Sequence, residues 1–205
     1  MIDLYYAPTA NGQRASVALE ECGLAYRLHR VDLTKGQQRT AGFLAINPAG
    51  QIPAIVDPDG PDGTQFVLTQ SCAIILYAAE KAGRFLPATG ARRMVAMQWL
   101  LQLASDVAGT SGTVFRLENT APEKSAANVD YFKQRLLTFF GDCDRQLEGR
   151  EYLAGEISVA DLALYPNYAA RKPLIDAAGC FANLHRWGTV MAARPGVQKG
   201  MAPAG

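Results

Sequence analysis

A small α/β domain followed by a larger all-helical one is the fold this sequence predicts, on three observations. Residues 1–82 alternate strand-like and helix-like segments, residues 83–90 form a connector carrying Gly83, Pro87 and Gly90, and residues 91–205 contain no convincing strand. The chain of 205 residues has room for one large domain or two small ones, so a division there is physically reasonable.

The elements follow in order. Ile2-Asp3-Leu4-Tyr5-Tyr6 has a strand-like composition, and Ala7-Pro8-Thr9-Ala10-Asn11-Gly12 breaks it with a proline and an Asn-Gly pair. A helix is predicted over residues 14–21, with Asn11 as its expected N-cap and Gly23 as its stop. Residues 26–33 alternate apolar and polar side chains, the pattern of a half-buried strand. After a polar connector and the turn cluster Asn47-Pro48-Ala49-Gly50, residues 51–57 form a short apolar strand, and Pro53 near its start removes a ladder donor and puts it at an edge or bend. A Pro/Asp/Gly turn over residues 58–63 leads into Phe66-Val67-Leu68, a hairpin partner. Ser71 is a start signal for a helix over residues 73–81 that Gly83 ends. Beyond the connector, helices are predicted over residues 92–107, 122–148, 158–170, 173–178 and 183–193.

Charge and cysteine usage narrow the function. Twenty Lys+Arg stand against 19 Asp+Glu for a net charge of +1, which lacks the basic excess that nucleic acid or an anionic membrane surface requires. Asp3 occupies the position where a signal peptide carries positive charge, and the apolar stretch over residues 94–104 is interrupted by Gln98 and Gln102, so neither export nor a membrane span is expected. Cys22, Cys72, Cys143 and Cys180 lie far apart without a Cys-x-x-Cys pair, and His29 and His185 are isolated; a reduced cytoplasmic protein without a metal site is the expectation.

Asn47-Pro48-Ala49-Gly50-Gln51-Ile52-Pro53-Ala54, Gln70-Ser71-Cys72-Ala73-Ile74 and Ser158-Val159-Ala160-Asp161, in that order across both parts, resemble the cytosolic glutathione S-transferase family. The opening loop and Asp32-Leu33-Thr34-Lys35-Gly36-Gln37-Gln38 look like its bacterial nu-class and fungal Ure2-like branch. The resemblance implies a thioredoxin-like N-terminal domain over residues 1–82, an all-helical C-terminal domain over residues 91–205 holding an electrophile pocket and dimer contacts, glutathione as co-substrate, and a homodimer. It also implies a detoxification-type transferase or a glutathione-dependent disulfide reductase, with a non-catalytic glutathione-binding regulator as the alternative. Glutathione contacts are carried over to Gln38, Gln51, Ile52, Pro53, Gln70 and Ser71, and sulfur contacts to Thr9 and Asn11.

Glutathione is an acidic tripeptide, so its site needs an edge for its backbone, an anion hole for its carboxylates and a means of favouring the thiolate. A cis bond at Ile52–Pro53, implied by the resemblance, would turn the Ile52 backbone outward to pair with the ligand. The helix start at Gln70-Ser71 offers unpaired N–H groups to a carboxylate; equally, Ser71 is a good N-cap. A thiol of pKa about 8.5 needs roughly 2.7 kcal/mol of anion preference to fall by two units. One hydrogen bond to the charged sulfur supplies about 1.5–3 kcal/mol, so Thr9 and Asn11 suffice without ionising. Tyr5 and Tyr6 compete for that role, as does a purely turn-forming role for Asn11-Gly12. Asp161 is expected to start a buried helix through a capping box with Ser158. Asp106 is a solvated acid or reaches a partner's glutathione; Trp99, Phe115, Phe132 and Tyr168 are core or pocket lining.

Overall fold

The computed structural model describes residues 1–204. Its elements run β1 (Ile2–Tyr6), α1 (Ala10–Cys22), β2 (Tyr26–Arg30), α2 (Ala41–Ile46), β3 (Ala54–Asp57), β4 (Phe66–Thr69), α3 (Ser71–Ala82), α4 (Gly90–Gln102), α5 (Gly109–Asn119), α6 (Ala126–Gln146), α7 (Val159–Ala178), α8 (Ala182–Ala192) and α9 (Pro195–Met201). The four strands form one sheet in the order β2-β1-β3-β4. Strands β1 and β2 are parallel, joined by α1 as the crossover, while β3 runs antiparallel to both β1 and β4. This is the thioredoxin-like sheet domain followed by a helical domain that the family resemblance implies.

Period-two alternation decides which side chains fill each face of the sheet. Ile2, Leu4 and Tyr6 are buried on one side of β1, and Tyr5 on the other packs with Phe43 of α2 in a small cluster with Ala7, Val31, Leu33 and Ile52. Helices α1 and α3 pack together, and each ends at a left-handed glycine, Gly23 (φ 68°) and Gly83 (φ 63°), where the sequence signals a stop.

The contact pattern divides the chain into 1–86 with 193–205, and 87–192. The sequence puts all of 91–205 in the second domain; α9 instead packs on α1. The two helices run antiparallel: Gln13 Nε2 donates to the Met201 carbonyl at 3.0 Å, Ser16 Oγ to that of Gly200 at 2.5 Å, and Arg194 to both Glu21 carboxylate oxygens at 3.0 and 2.6 Å. Gly196 and Gly200 provide the flat face: a Cβ on Gly200 would collide with the Val17 backbone, and one on Gly196 with Glu21. Seven residues, two of them glycine, carry too little periodicity to declare such a helix from sequence.

In the unit 87–192 the differences have equally local causes. A π-helical turn over Leu103–Ala108 joins α4 to α5, so the helical path continues through Gly109-Thr110-Ser111-Gly112, where the sequence predicts no helix. Packing of fully buried Val114 overrides that weak local preference. The two helices predicted around Pro173 are one, α7, which contains both Pro166 and Pro173; Leu162, Ala163, Leu164 and Ile175 are fully buried along it and hold it together. The Ser158–Asp161 capping box is present, and the buried Asp161 carboxylate accepts from the Leu153 and Ser158 amides at 3.1 and 2.9 Å, Ser158 Oγ at 3.0 Å and Trp187 Nε1 at 3.0 Å. Asp161 is therefore structural, as its spacing predicts. No helix is long and apolar enough to cross a membrane among the described residues.

The α1–α9 contact makes a specific prediction. Gly200→Ala lowers stability by about 1–3 kcal/mol through overpacking, whereas Lys199→Ala on the exposed side of α9 changes it by less than about 0.5 kcal/mol; urea unfolding of the two variants checks the difference.

Candidate functional site

The sequence-predicted residues of the first 82 positions gather at one end of the sheet, and strand register explains why. Antiparallel pairing of Tyr5 with Ala54 continues outward to set Ala7 beside Ile52, and both residues lie in one buried cluster. Pairing of Ala54 with Thr69 sets Pro53 beside Gln70. Gly50, just before Gln51, faces the Gln38 backbone closely enough that a Cβ there would lie 3.0 Å from the Gln38 carbonyl oxygen. The β1–α1 loop, the Ile52–Pro53 bend, the start of α3 and the Gln38 segment are thus neighbours.

The loop leaving β1 turns directly into α1. Thr9, not Asn11, is the N-cap: Thr9 Oγ1 accepts from the Gly12 amide at 3.2 Å. A Cβ on Gly12 would run into the Ala7 carbonyl oxygen, so this return depends on glycine, and the Tyr6 ring lies against the same spot. As a cap, the Thr9 hydroxyl spends acceptor capacity and keeps its O–H to donate. Asn11 is exposed in the first turn of the helix, and its Oδ1 accepts from Arg14 Nη2. The competing Tyr6 is only 1% exposed, and burial pushes its hydroxyl above the ordinary value, with Arg30 opposing the shift. Tyr5 stacks on His29 at 4.7 Å between ring centroids, turned toward β2.

The Ile52–Pro53 bond is cis, and β3 pairing begins at Ala54, beyond it. Buried Asn47 braces the approach, donating from Nδ2 to the Gln51 carbonyl at 2.6 Å and accepting from the Ala49 amide at 3.1 Å. Gln51 is exposed, whereas Ile52 and Pro53 are buried.

At α3 the cap position belongs to Gln70, with Ser71 the first helical residue, and no side chain caps the helix there. The first-turn amides of α3 consequently lack a side-chain acceptor, unlike those of α1. Gln70 adopts φ 68° and ψ 111°, a conformation that costs a non-glycine residue about 1–3 kcal/mol and that concentrates at ligand sites. Ser71 is buried, Gln70 exposed.

In the connector, Asp32 accepts from the Thr34 hydroxyl at 2.6 Å and pairs with Lys35 at 3.6 Å, and Gln37 turns back to the Asp32 amide. Gln38 is left facing Gly50, its buried Oε1 without a partner among the described residues.

None of the better-buried cysteines is a ready nucleophile. Burial pushes Cys22 to about 11 and Cys143 to about 12. Cys72, next to Ser71, is also raised by burial, with Arg14 and the Ser71 hydroxyl pulling it down. All four cysteines are free, and the described residues contain no metal-binding cluster.

The residues assigned to the helical unit are not gathered in the same way. Trp99 and Tyr168 are buried, Tyr168 edge-on to Trp187 at 5.7 Å, whereas Phe115 is 54% exposed and Phe132 half-buried. Asp106, half-buried in the π turn, accepts from Ser105 Oγ at 2.9 Å. Sequence reasoning passed over Arg14, although its i,i+3 spacing from Asn11 places the two on one helix face.

The model of the glutathione S-transferase N-terminal domain matches residues 10–81. The disulfide-bond oxidoreductase YfcG of Escherichia coli (strain K12) is 38% identical over 168 residues, covering 81% of this chain and 78% of that protein. A glutathione transferase family member from Pseudomonas fluorescens pf-5 with two glutathione bound superposes with a TM-score of 0.90 at 32% identity, over 98% of this chain and 92% of that one. A glutathione transferase from Pseudomonas putida with one glutathione disulfide bound per subunit gives 0.91 at 33% identity, over 100% and 92%.

The capping arrangement separates two hydroxyls by what their loss does to the fold. Thr9→Ala costs about 1 kcal/mol of stability because it uncaps α1, while Ser71→Ala, which caps nothing, costs less than about 0.5 kcal/mol; denaturation midpoints of the two variants report it.

Proposed function

The chain belongs to the glutathione S-transferase family, and we propose that it binds glutathione, stabilises its thiolate with neutral donors, and uses it as a glutathione-dependent disulfide reductase. The observation that carries this reading is the pair of donors at the start of α1, Thr9 O–H and the Asn11 amide, at the same sheet end as the Ile52–Pro53 bend and the uncapped start of α3. The name of YfcG and the glutathione disulfide in the Pseudomonas putida relative support the choice of disulfides over carbon electrophiles.

In this reading the cysteinyl backbone of glutathione pairs with the Ile52 N–H and C=O as an added strand, with Pro53 fixing the bend. Its γ-glutamyl carboxylate meets the first-turn amides of α3 and the Ser71 hydroxyl, next to Gln70. Gln51 and Gln38 serve the glycyl end. The sulfur then faces Thr9 and Asn11, and the α1 N-terminus adds up to about 1 kcal/mol of preference for the anion.

The chemistry follows from the thiolate. It attacks one sulfur of a disulfide, forming a mixed disulfide and expelling a thiolate. A second glutathione thiolate attacks the glutathione sulfur of that intermediate, giving glutathione disulfide and a second thiolate. Two glutathiones are oxidised, one disulfide is reduced, and the two expelled thiolates take up the protons the glutathiones lost. Burial keeps Cys72 protonated, consistent with both reacting sulfurs being the ligand's.

The site belongs to the first domain, and the helical domain receives the second substrate and the partner of a homodimer. Exposed Met94 (67%) and Leu101 (59%) on α4 are apolar surface such a partner would cover. A cytoplasmic setting, where glutathione is reduced, fits four unpaired cysteines.

Assays with glutathione and hydroxyethyl disulfide, run beside a chlorodinitrobenzene-type electrophile, test the reaction class: disulfide reduction is expected to dominate, and glutathione binding with neither activity would indicate a regulatory binder. Removing a donor raises the pKa of the bound thiol, so the rising limb of the pH–rate profile moves to higher pH by about one unit in Asn11→Ala, with Thr9→Ser close to the parent. An unmoved profile in Asn11→Ala contradicts its role.

A further inference from the structure

Arg14 is an uncommon residue to find inside a small domain. Its side chain is 97% buried, counting from a relative exposure of 3%, between α1 and α3, yet Nε and Nη1 have no partner among the described residues. The bond it does make goes from Nη2 to Asn11 Oδ1. Burying a cation with unpaired nitrogens opposes folding, and an apolar side chain of similar volume would fill the space without that cost. Stability therefore does not account for an arginine here.

We propose that Arg14 is a positioning residue that fixes the Asn11 carboxamide oxygen-inward and nitrogen-outward, so that Asn11 presents only a donor to the sulfur of bound glutathione. Hydrogen-bond polarity sets this orientation. A guanidinium has donors and no acceptor, so the amide oxygen is the only end of Asn11 it accommodates. With Oδ1 held from the inside, the exposed end of Asn11 is Nδ2. Freed from Arg14, the carboxamide turns and offers its oxygen as readily as its nitrogen, and an oxygen facing a thiolate repels it. This inference rests on the glutathione-thiolate reading given above.

The surroundings of the guanidinium leave that polarity undisturbed. From α3 the titratable group facing it is the Cys72 thiol, which burial keeps neutral. Helix α9 brings Gly196 and Gly200 to α1, and its Arg194 is engaged by Glu21, two turns further along. No carboxylate competes for Arg14 in these contacts.

The test is a double-mutant cycle on the full chain, read as the pH–rate profile of hydroxyethyl disulfide reduction at saturating glutathione, with melting temperature and glutathione affinity by calorimetry measured in parallel. Arg14→Met is expected to melt at or above the parent temperature, to bind glutathione within about twofold, and to shift the thiol pKa upward by about one unit, a roughly tenfold loss of rate on the low-pH limb. Arg14→Lys, which keeps a donor and the charge, restores most of it. Because Arg14 acts through Asn11, Arg14→Met combined with Asn11→Ala shifts the profile no further than Asn11→Ala alone. A folded Arg14→Met with the parent profile, or a double variant whose shifts add, overturns the proposal; Arg14→Leu carries the same readings should the methionine variant not fold. A parent protein that binds no glutathione overturns the underlying function instead, and is recognised before any variant is made.

Discussion

The close return of the chain at the start of α1 is the constraint on which the site depends. Gly12 sits so near the Ala7 carbonyl that no other residue fits, and Thr9 locks the return by accepting from the Gly12 amide. That single turn brings two polar side chains, Thr9 and Asn11, to the end of β1 and leaves the Tyr6 ring buried beneath them. Register does the rest: β3 and β4 hang from β1, so fixing where β1 ends also fixes where Ile52, Pro53 and Gln70 lie relative to it. The same helix is held from outside by α9 through glycine contacts and the Glu21–Arg194 pair. The donors are therefore mounted on an element packed on several sides.

A net charge of +1 is compatible with the proposed acidic ligand if fixed dipoles, rather than excess lysine and arginine, meet it. The amides of α3 wait without a side-chain cap, Gln70 holds a costly backbone conformation, and the donors proposed for the sulfur are an alcohol and an amide. Neutral donors keep their charge state across the range in which the ligand thiol titrates. A tyrosine would add its own titration, and Tyr6 is in any case turned into the core. In the proposed role for Asn11, orientation decides the sign of its contribution, and the buried Arg14 bonded to its Oδ1 is the group that would set it.

Much of this was legible in the sequence, for reasons specific to each part. Period-two alternation from Tyr26, which holds as a strand only as far as Arg30 of the predicted 26–33, the Asn47–Ala54 motif and the glycine stops at Gly23 and Gly83 state local preferences that the fold largely keeps. The cap residues were misjudged by one or two positions: Asn11 and Ser71 are good caps, but Thr9 and Gln70 occupy the cap positions because strand register sets where each helix begins. The joined helix through Pro166 and Pro173, the α5 helix after Gly109, and α9 on α1 were illegible because each is imposed by long-range packing against weak local preference. Arg14 gives no such signal, because a charged residue in a helix ordinarily means surface, and its burial arises only from the packing of α1 in the fold.

Thiolate stabilisation ties glutathione binding to proton release. Binding must then expel the thiol proton at a pH below the free thiol pKa of about 8.5. Calorimetric titration of glutathione at neutral pH, repeated in buffers of different ionisation enthalpy, counts that proton directly. Release of the greater part of one proton per site is expected, falling away as the pH approaches the free thiol value. Binding of equal strength with no proton released would mean that glutathione is held as the neutral thiol, and would contradict thiolate stabilisation.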